Sequence, residues 1–158
     1  MKAHVGLLLS AMLGAAGCAT TGAHFQVSQQ GTVLDAGSHL EWAPDPGEDM
    51  TSADAGEYAR NLSLGGHNDW RLPTRAELAR LHDPKARSSP AIPAAFQLGY
   101  EMVWTSELTT CRGAQTRWAV YFGEGDPTVY GCGEMQGGGY YDRPPGRVAR
   151  VLAVRGAR

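Results

Sequence analysis

Three cysteines are the residues of this 158-residue chain whose chemistry depends most on their setting, and Cys18 has the most informative position. It follows the small residues Ala15 to Gly17, which come after a short apolar run from Val5 to Leu13. Lys2 supplies a basic start. A basic start, a short apolar core and small residues before a cut are typical of an export signal. The apolar run is too short for a spanning helix, which needs roughly 20 residues.

The stretch that ends in Cys18 resembles the lipobox of bacterial lipoproteins. That resemblance implies cleavage before Cys18, a diacylglycerol thioether on its sulfur and an acylated new N-terminus. The protein would then be held on a membrane by a palmitate-type lipid anchor. Ala15 stands where the lipobox prefers Leu, and the alternative is a plain secretory signal with an incidental cysteine. An Asp directly after the lipidated cysteine would resemble an inner-membrane retention signal. This chain has Ala19 there, which favours an outer-membrane lipoprotein of the cell envelope.

The other two cysteines, Cys111 and Cys132, are predicted to form a disulfide. An isolated cysteine pair in an oxidising compartment is read first as a bonded pair. Two buried free thiols are the alternative. A metal site has less support, because neither residue has a histidine or a second cysteine at ligand spacing.

The sequence does not predict an enzyme, a metal site or a cofactor. A hydrolase needs a nucleophile with a base at suitable spacing, and no such spacing relates Ser106 and Glu107 to the histidines His24, His39, His67 and His82. The acidic loop that contains Asp45, Glu48 and Asp49 lacks the ligand pattern of a calcium-binding EF-hand. We therefore expect a protein without catalytic residues.

Composition places one domain after the export signal and argues against a nucleic-acid partner. The chain has 14 Lys and Arg against 16 Asp and Glu, a formal net charge of −2. An acidic balance does not attract a polyanion, although a local basic patch still can. We predict a lipoprotein signal peptide at 1–17, a polar tether at 18–30 and one domain at 31–158.

The pattern of apolar residues and turn formers predicts short strands and two small helices. Residues 31–42 are predicted to form a hairpin, and Thr51 or Ser52 to cap a helix that continues to about Leu62. Thr74 and Glu77 form a capping-box pattern at the start of a second helix. The later strands are predicted at 103–106, 116–122 and 148–155.

Four segments resemble, in order, a bacterial domain family of unknown function, the Lcl C-terminal domain. They are residues 31–42, residues 62–78, residues 103–106 and residues 118–122 followed by 154–156. The most specific part is the Gly-Gly-x-x-Asp-Trp-Arg-Leu-Pro-Thr sequence that ends at Thr74. The family occurs on collagen-like adhesins and on many exported proteins, and the resemblance covers residues 31–156.

The end of this motif is also similar to a stretch of formylglycine-generating enzymes. That similarity implies an α+β, C-type-lectin-like fold, with small helices on a twisted, mostly antiparallel sheet and long irregular loops. The copper-binding cysteines of those enzymes are not matched here, so their activity is not carried over. Many family members have cysteines in place of Ala59 and Ala153, which implies that these two alanines are buried neighbours.

Within the motif, Trp70 and Leu72 are expected to be buried, and Asp69 and Arg71 to pair with each other or with loop backbone. Tyrosines in the Gly-rich region 123–146 suit recognition more than bond breaking. The predicted ligand-binding residues are Tyr130, Tyr140 and Tyr141. We expect a non-catalytic, adhesion-type binding domain for a glycan or an envelope partner. The alternatives are a structural envelope lipoprotein acting through protein–protein contacts, and a degenerate enzyme-like scaffold.

Overall fold

The computed structural model describes residues 24–83, 85, 92–98, 102–123, 128–131 and 149–157. The strands are β1 (Phe25–Val27), β2 (Val33–Asp35), β3 (Leu40–Trp42), β4 (Met102–Cys111), β5 (Ala114–Tyr121), β6 (Thr128–Tyr130) and β7 (Val154–Gly156). The helices are α1 (Ser52–Asn61) and α2 (Arg75–Ala79). In the described part of the chain, no helix is long and apolar enough to cross a membrane.

The strands form two antiparallel sheets rather than the single sheet that the sequence predicted. The first has the order β1-β2-β3-β7, so the last strand returns to pair with the predicted hairpin. The second has the order β4-β5-β6. The α+β class is confirmed. Residues 149–154 connect the two sheets, because Arg150 bridges to Val103 of β4 and Val154 begins β7.

The segment predicted as a tether, residues 18–30, contains β1 near its C-terminal end. Phe25 pairs with Asp35, and Val27 pairs with Val33, in an antiparallel ladder. The ring of Phe25 also meets that of Phe96 edge to face, with centroids 5.5 Å apart. Cross-strand pairing and aromatic contact together order a segment whose composition is mostly polar.

Both helices begin where their capping residues predicted. The side chain of Thr51 accepts a hydrogen bond from the backbone N–H of Asp54 at the start of α1. Thr74 and Glu77 form the full capping box of α2, each side chain accepting from the other residue's backbone N–H. These bonds satisfy backbone donors that a helix start leaves without an intrahelical acceptor.

Two hydrophobic clusters make up the core. One contains Trp42, Leu78 and Leu81 with apolar residues of β2, β4 and β5. The other lies under α1 and contains Trp70, Leu72 and Trp104. Ala59 and Ala153 are both buried in this second cluster, as expected, and their separation within disulfide range stays a prediction.

A buried arginine in β7 joins three distant segments. Arg155 is 4% exposed, and its Nη1 donates to Oε2 of Glu41 in β3 at 2.5 Å. Its Nε donates to Oδ1 of Asp69 at 2.7 Å. Asp69 and Arg71 therefore do not pair with each other. Arg71 makes two hydrogen bonds to the carboxylate of Glu77 and, as the alternative expected, one to backbone, the oxygen of Leu72 at 3.1 Å.

We predict that Arg155→Met lowers the free energy of unfolding at pH 7 by about 3 kcal/mol. Methionine retains an apolar stem, but Glu41 is left as a charge without its cation, and breaking such a buried pair is strongly destabilising. Arg155→Lys is the matched control, because it keeps the charge but not the planar fork of the guanidinium. Its free energy of unfolding should lie between those of the wild type and Arg155→Met. Urea denaturation of the three proteins measures the differences.

The loss of stability in Arg155→Met should depend on pH, in a direction set by the carboxylates of Glu41 and Asp69. Burial alone would raise the pKa of Glu41, but hydrogen bonds from Thr32 and Arg155 outweigh it and the pKa is lowered. The hydrogen bond from Arg155 also lowers the pKa of Asp69. Such carboxylates stabilise the fold above their ordinary pKa of about 4, and this contribution is lost as pH falls through the lowered values. The gap between wild type and Arg155→Met should therefore narrow from pH 7 to pH 3; a constant gap would contradict the pairing.

Candidate functional site

An open groove of about 410 Å³ lies between α1 and the second sheet. Its walls come from four parts of the chain: α1, the motif that ends at Thr74, β4 and β5. The described lining residues are Gly56, Ala59, Arg60, Arg71, Leu72, Thr74, Ser106 and Arg117. Three arginines, two hydroxyls and a small apolar floor thus share one concave surface.

Arg117 is held at the groove by two backbone carbonyl groups. Its Nε donates to the oxygen of Ser52 at 3.1 Å, and its Nη1 donates to the oxygen of Ser106 at 3.0 Å. These bonds fix the guanidinium between α1 and β4 and leave Nη2 without a hydrogen-bond acceptor among the described residues. The side chain is a fixed donor that no carboxylate of the described residues neutralises.

Arg60 brings a second positive charge beside the first. A Cβ added to Gly56 would stand 3.0 Å from Nη2 of Arg117 and 3.4 Å from Nη1 of Arg60, so the two guanidinium groups are neighbours. Burial lowers the pKa of Arg117, and the positive charge of Arg60 lowers it further. No carboxylate in the described ranges pairs with either residue.

The third arginine of the groove is already neutralised. Nη2 and Nη1 of Arg71 donate to the two carboxylate oxygens of Glu77 at 2.7 and 2.9 Å. This fork-to-fork pair is the strongest geometry available to the two side chains. The unmatched charge of the groove therefore comes from Arg60 and Arg117.

Glycine at position 56 gives the guanidinium groups room. It lies in the middle of α1, where glycine is destabilising by roughly 0.5–1 kcal/mol relative to alanine. A side chain there would come close to both arginines. The missing Cβ lets Arg117 lie directly against the helix.

The chemistry of the groove is set by its arginines and hydroxyls. Its described lining contains neither a histidine nor a carboxylate, so Ser106 has no base there. Throughout the described ranges, no group of three or more His, Cys, Asp or Glu side chains is arranged to hold a metal ion. Of the acidic loop, Asp49 instead forms an ion pair with Arg150 at 3.2 Å.

Of the predicted ligand-binding residues, Tyr130 is described by the structure and is not among the described residues that line this groove. Tyr130 is half-buried in β6, with its ring 5.9 Å from that of Tyr121 in an edge-to-face contact. Tyr140 and Tyr141 lie outside the described residues, as do Cys18 and Cys132. Cys111 ends β4 and is half-buried, and its bond to Cys132 stays a prediction.

Sequence reasoning missed Arg60 and Arg117, because their proximity depends on how α1 packs on β5. Arg117 is two residues before Ala119 in β5, so it shares the face that packs under α1. Gly56 is four residues before Arg60 on the same side of α1. The sequence does not show that this strand and this helix face each other, so it could not identify the pair.

Comparison with known proteins supports the resemblance found in the sequence. The family model described as the Lcl C-terminal domain matches residues 31–143. No curated protein and no solved structure matches the chain. The matched range includes α1, the motif that ends at Thr74, β4 and β5, and so every described residue that lines the groove. The chain belongs to the Lcl C-terminal domain family.

Proposed function

We propose that this protein is a lipid-anchored, exported binding domain whose groove recognises an anionic group of a glycan or of an envelope protein. The observation that carries this proposal is the pair of adjacent guanidinium groups, Arg60 and Arg117, that no described carboxylate neutralises. Two neighbouring like charges repel each other, and an anion between them removes that cost. Binding, rather than catalysis, is the role that such a site serves best.

The construction of the groove supports this role. Recognition sites are concave surfaces with a few fixed polar groups. Arg117 is fixed by two backbone carbonyls, and the hydroxyls of Thr74 and Ser106 lie at the same surface. We also propose that the fold is related to the C-type lectins, as the sequence resemblance implies.

The membrane anchor at Cys18 is the second part of the proposal. Metabolic labelling with palmitate should mark the wild-type protein and not Cys18→Ser, which should remain uncleaved or appear in the soluble fraction. We expect the labelled protein to fractionate with the outer membrane. Equal labelling of both proteins would show that the chain is exported without a lipid at this residue.

The groove is tested by neutralising its arginines in the full-length protein. Co-purification from solubilised native membranes and binding to a glycan array should both be measured, because the partner is a glycan or a protein. We expect Arg60→Gln and Arg117→Gln each to weaken retention of the partner by about tenfold, which is the loss of one or two charge-assisted hydrogen bonds.

Lys85→Gln is the matched control, because it removes one exposed positive charge outside the groove. Arg60 is exposed and makes no described hydrogen bond, so Arg60→Gln should not disturb folding. Arg117→Gln loses two bonds to backbone carbonyls, and its thermal stability must be measured beside its binding. If both arginine variants retain partners as well as the wild type and Lys85→Gln do, the groove is not the binding site.

A further inference from the structure

The amount of unmatched charge in the groove limits the kind of anion that it can hold. Arg60 and Arg117 offer two positive charges, while Arg71 is paired with Glu77. The exposed Glu57 lies one helical turn before Arg60, on a chain of net charge −2. The carboxylate of Glu57 would repel further anionic groups of a ligand that extends past Arg60. One or two carboxylates match the charge that is available.

An exposed apolar side chain lies across the strand ladder from Arg117. Leu108 of β4 is directly opposite Arg117 of β5 in the ladder, and directly opposite residues share one face of a sheet. Leu108 is 51% exposed, one of two large apolar residues exposed in the described part of the chain. Ala59 and Leu72 contribute further apolar surface to the groove floor. The ligand that fits this surface carries an apolar group beside its anionic group.

A sugar has a poorer match to the same surface. Sugar rings commonly stack on an exposed aromatic ring, and the described lining residues include none. The hydroxyl of Thr74 already accepts the backbone N–H of Glu77. An acidic residue that follows or precedes an apolar residue in a polypeptide presents both required groups at adjacent side chains.

We propose that the ligand of the groove is a polypeptide segment that places one carboxylate between Arg60 and Arg117 and an apolar side chain against Leu108. This inference rests on the proposed binding function and names the class of its partner. The carboxylate can be that of an internal Asp or Glu or that of a chain terminus, because the guanidinium groups recognise the same planar anion in either case.

The test uses full-length protein, purified in mild detergent and fluorescently labelled, on an array of synthetic octapeptides beside sulfated and unsulfated glycans. One peptide set has an internal Leu-Glu pair and an amidated C-terminus. Its controls replace Glu with Gln or Leu with Ser. A second set has a C-terminal Leu with a free carboxylate, so the array distinguishes the two sources of the anion.

We expect binding to at least one carboxylate set and about tenfold weaker binding when Glu becomes Gln. Arg60→Gln should weaken the same peptides, Leu108→Ser should remove the preference for Leu over Ser, and Lys85→Gln should bind like the wild type. Leu108 is exposed, so Leu108→Ser should leave the fold intact. A lost preference for Leu can then be assigned to the missing apolar contact.

Two results would overturn the inference, and they differ in what they leave standing. Binding of glycans but not of acidic peptides, with loss on Arg60→Gln, would retain the groove as an anion site and reject a polypeptide ligand. Binding that is unchanged in Arg60→Gln, or no binding to either peptide set and to any glycan, would reject the groove together with the inference.

Discussion

The ion-pair network around Arg155 is the constraint on which the rest of the described structure depends. Arg155 lies in the last strand, yet its guanidinium bonds Glu41 in the first hairpin and Asp69 in the family motif. Thr32 adds a hydrogen bond from its hydroxyl to the same Glu41 carboxylate at 2.5 Å. A buried charge is tolerated only when its hydrogen-bonding groups are satisfied, so these segments can come together in few other ways.

This network also determines where the groove forms. Asp69 is held by Arg155 at one end of the motif, and the capping box of Thr74 and Glu77 holds the other end. Between them, the backbone of Arg71 exchanges two hydrogen bonds with Val154 at 2.9 Å each. Leu72 is thereby placed at the floor of the groove, and the Arg71 side chain turns toward Glu77. The positive charge that no described carboxylate neutralises is then that of Arg60 in α1 and Arg117 in β5.

Local features of the fold were predictable from sequence because they depend on neighbouring residues. The hairpin of β2 and β3, the helix starts at Thr51 and Thr74 and the burial of Trp70 follow from turn chemistry, capping and alternation within a few positions. The partners of charged residues were not predictable in this way. Asp69 bonds Arg155, 86 positions away, while Arg71 bonds Glu77. The spacing of Asp69 and Arg71 in the sequence is equally compatible with an ion pair between these two residues.

The groove was missed for the same reason. Arg117 and Gly56 are far apart in the chain, and each has an ordinary local explanation when taken alone. Their meaning appears only when α1 packs on β4 and β5. Aromatic side chains serve either packing or recognition. In this fold Trp42, Trp70 and Trp104 are buried in the core, and Trp118 is half-buried with the guanidinium of Arg75 over its ring. Packing and recognition draw on the same residue types, and only the fold separates their roles.

The most direct test of the groove is the arginine Nε–Hε spectrum of isotope-labelled protein in detergent micelles during titration with acetyl-Leu-Glu-amide. The uncharged acetyl-Leu-Gln-amide serves as the control, and the buried Arg155 serves as an internal reference. Because Arg60 and Arg117 are the unmatched cations of the groove, their signals should shift with the charged dipeptide alone, while Arg155 stays unchanged. Shifts confined to arginines outside the groove, or equal shifts with both dipeptides, would contradict the account.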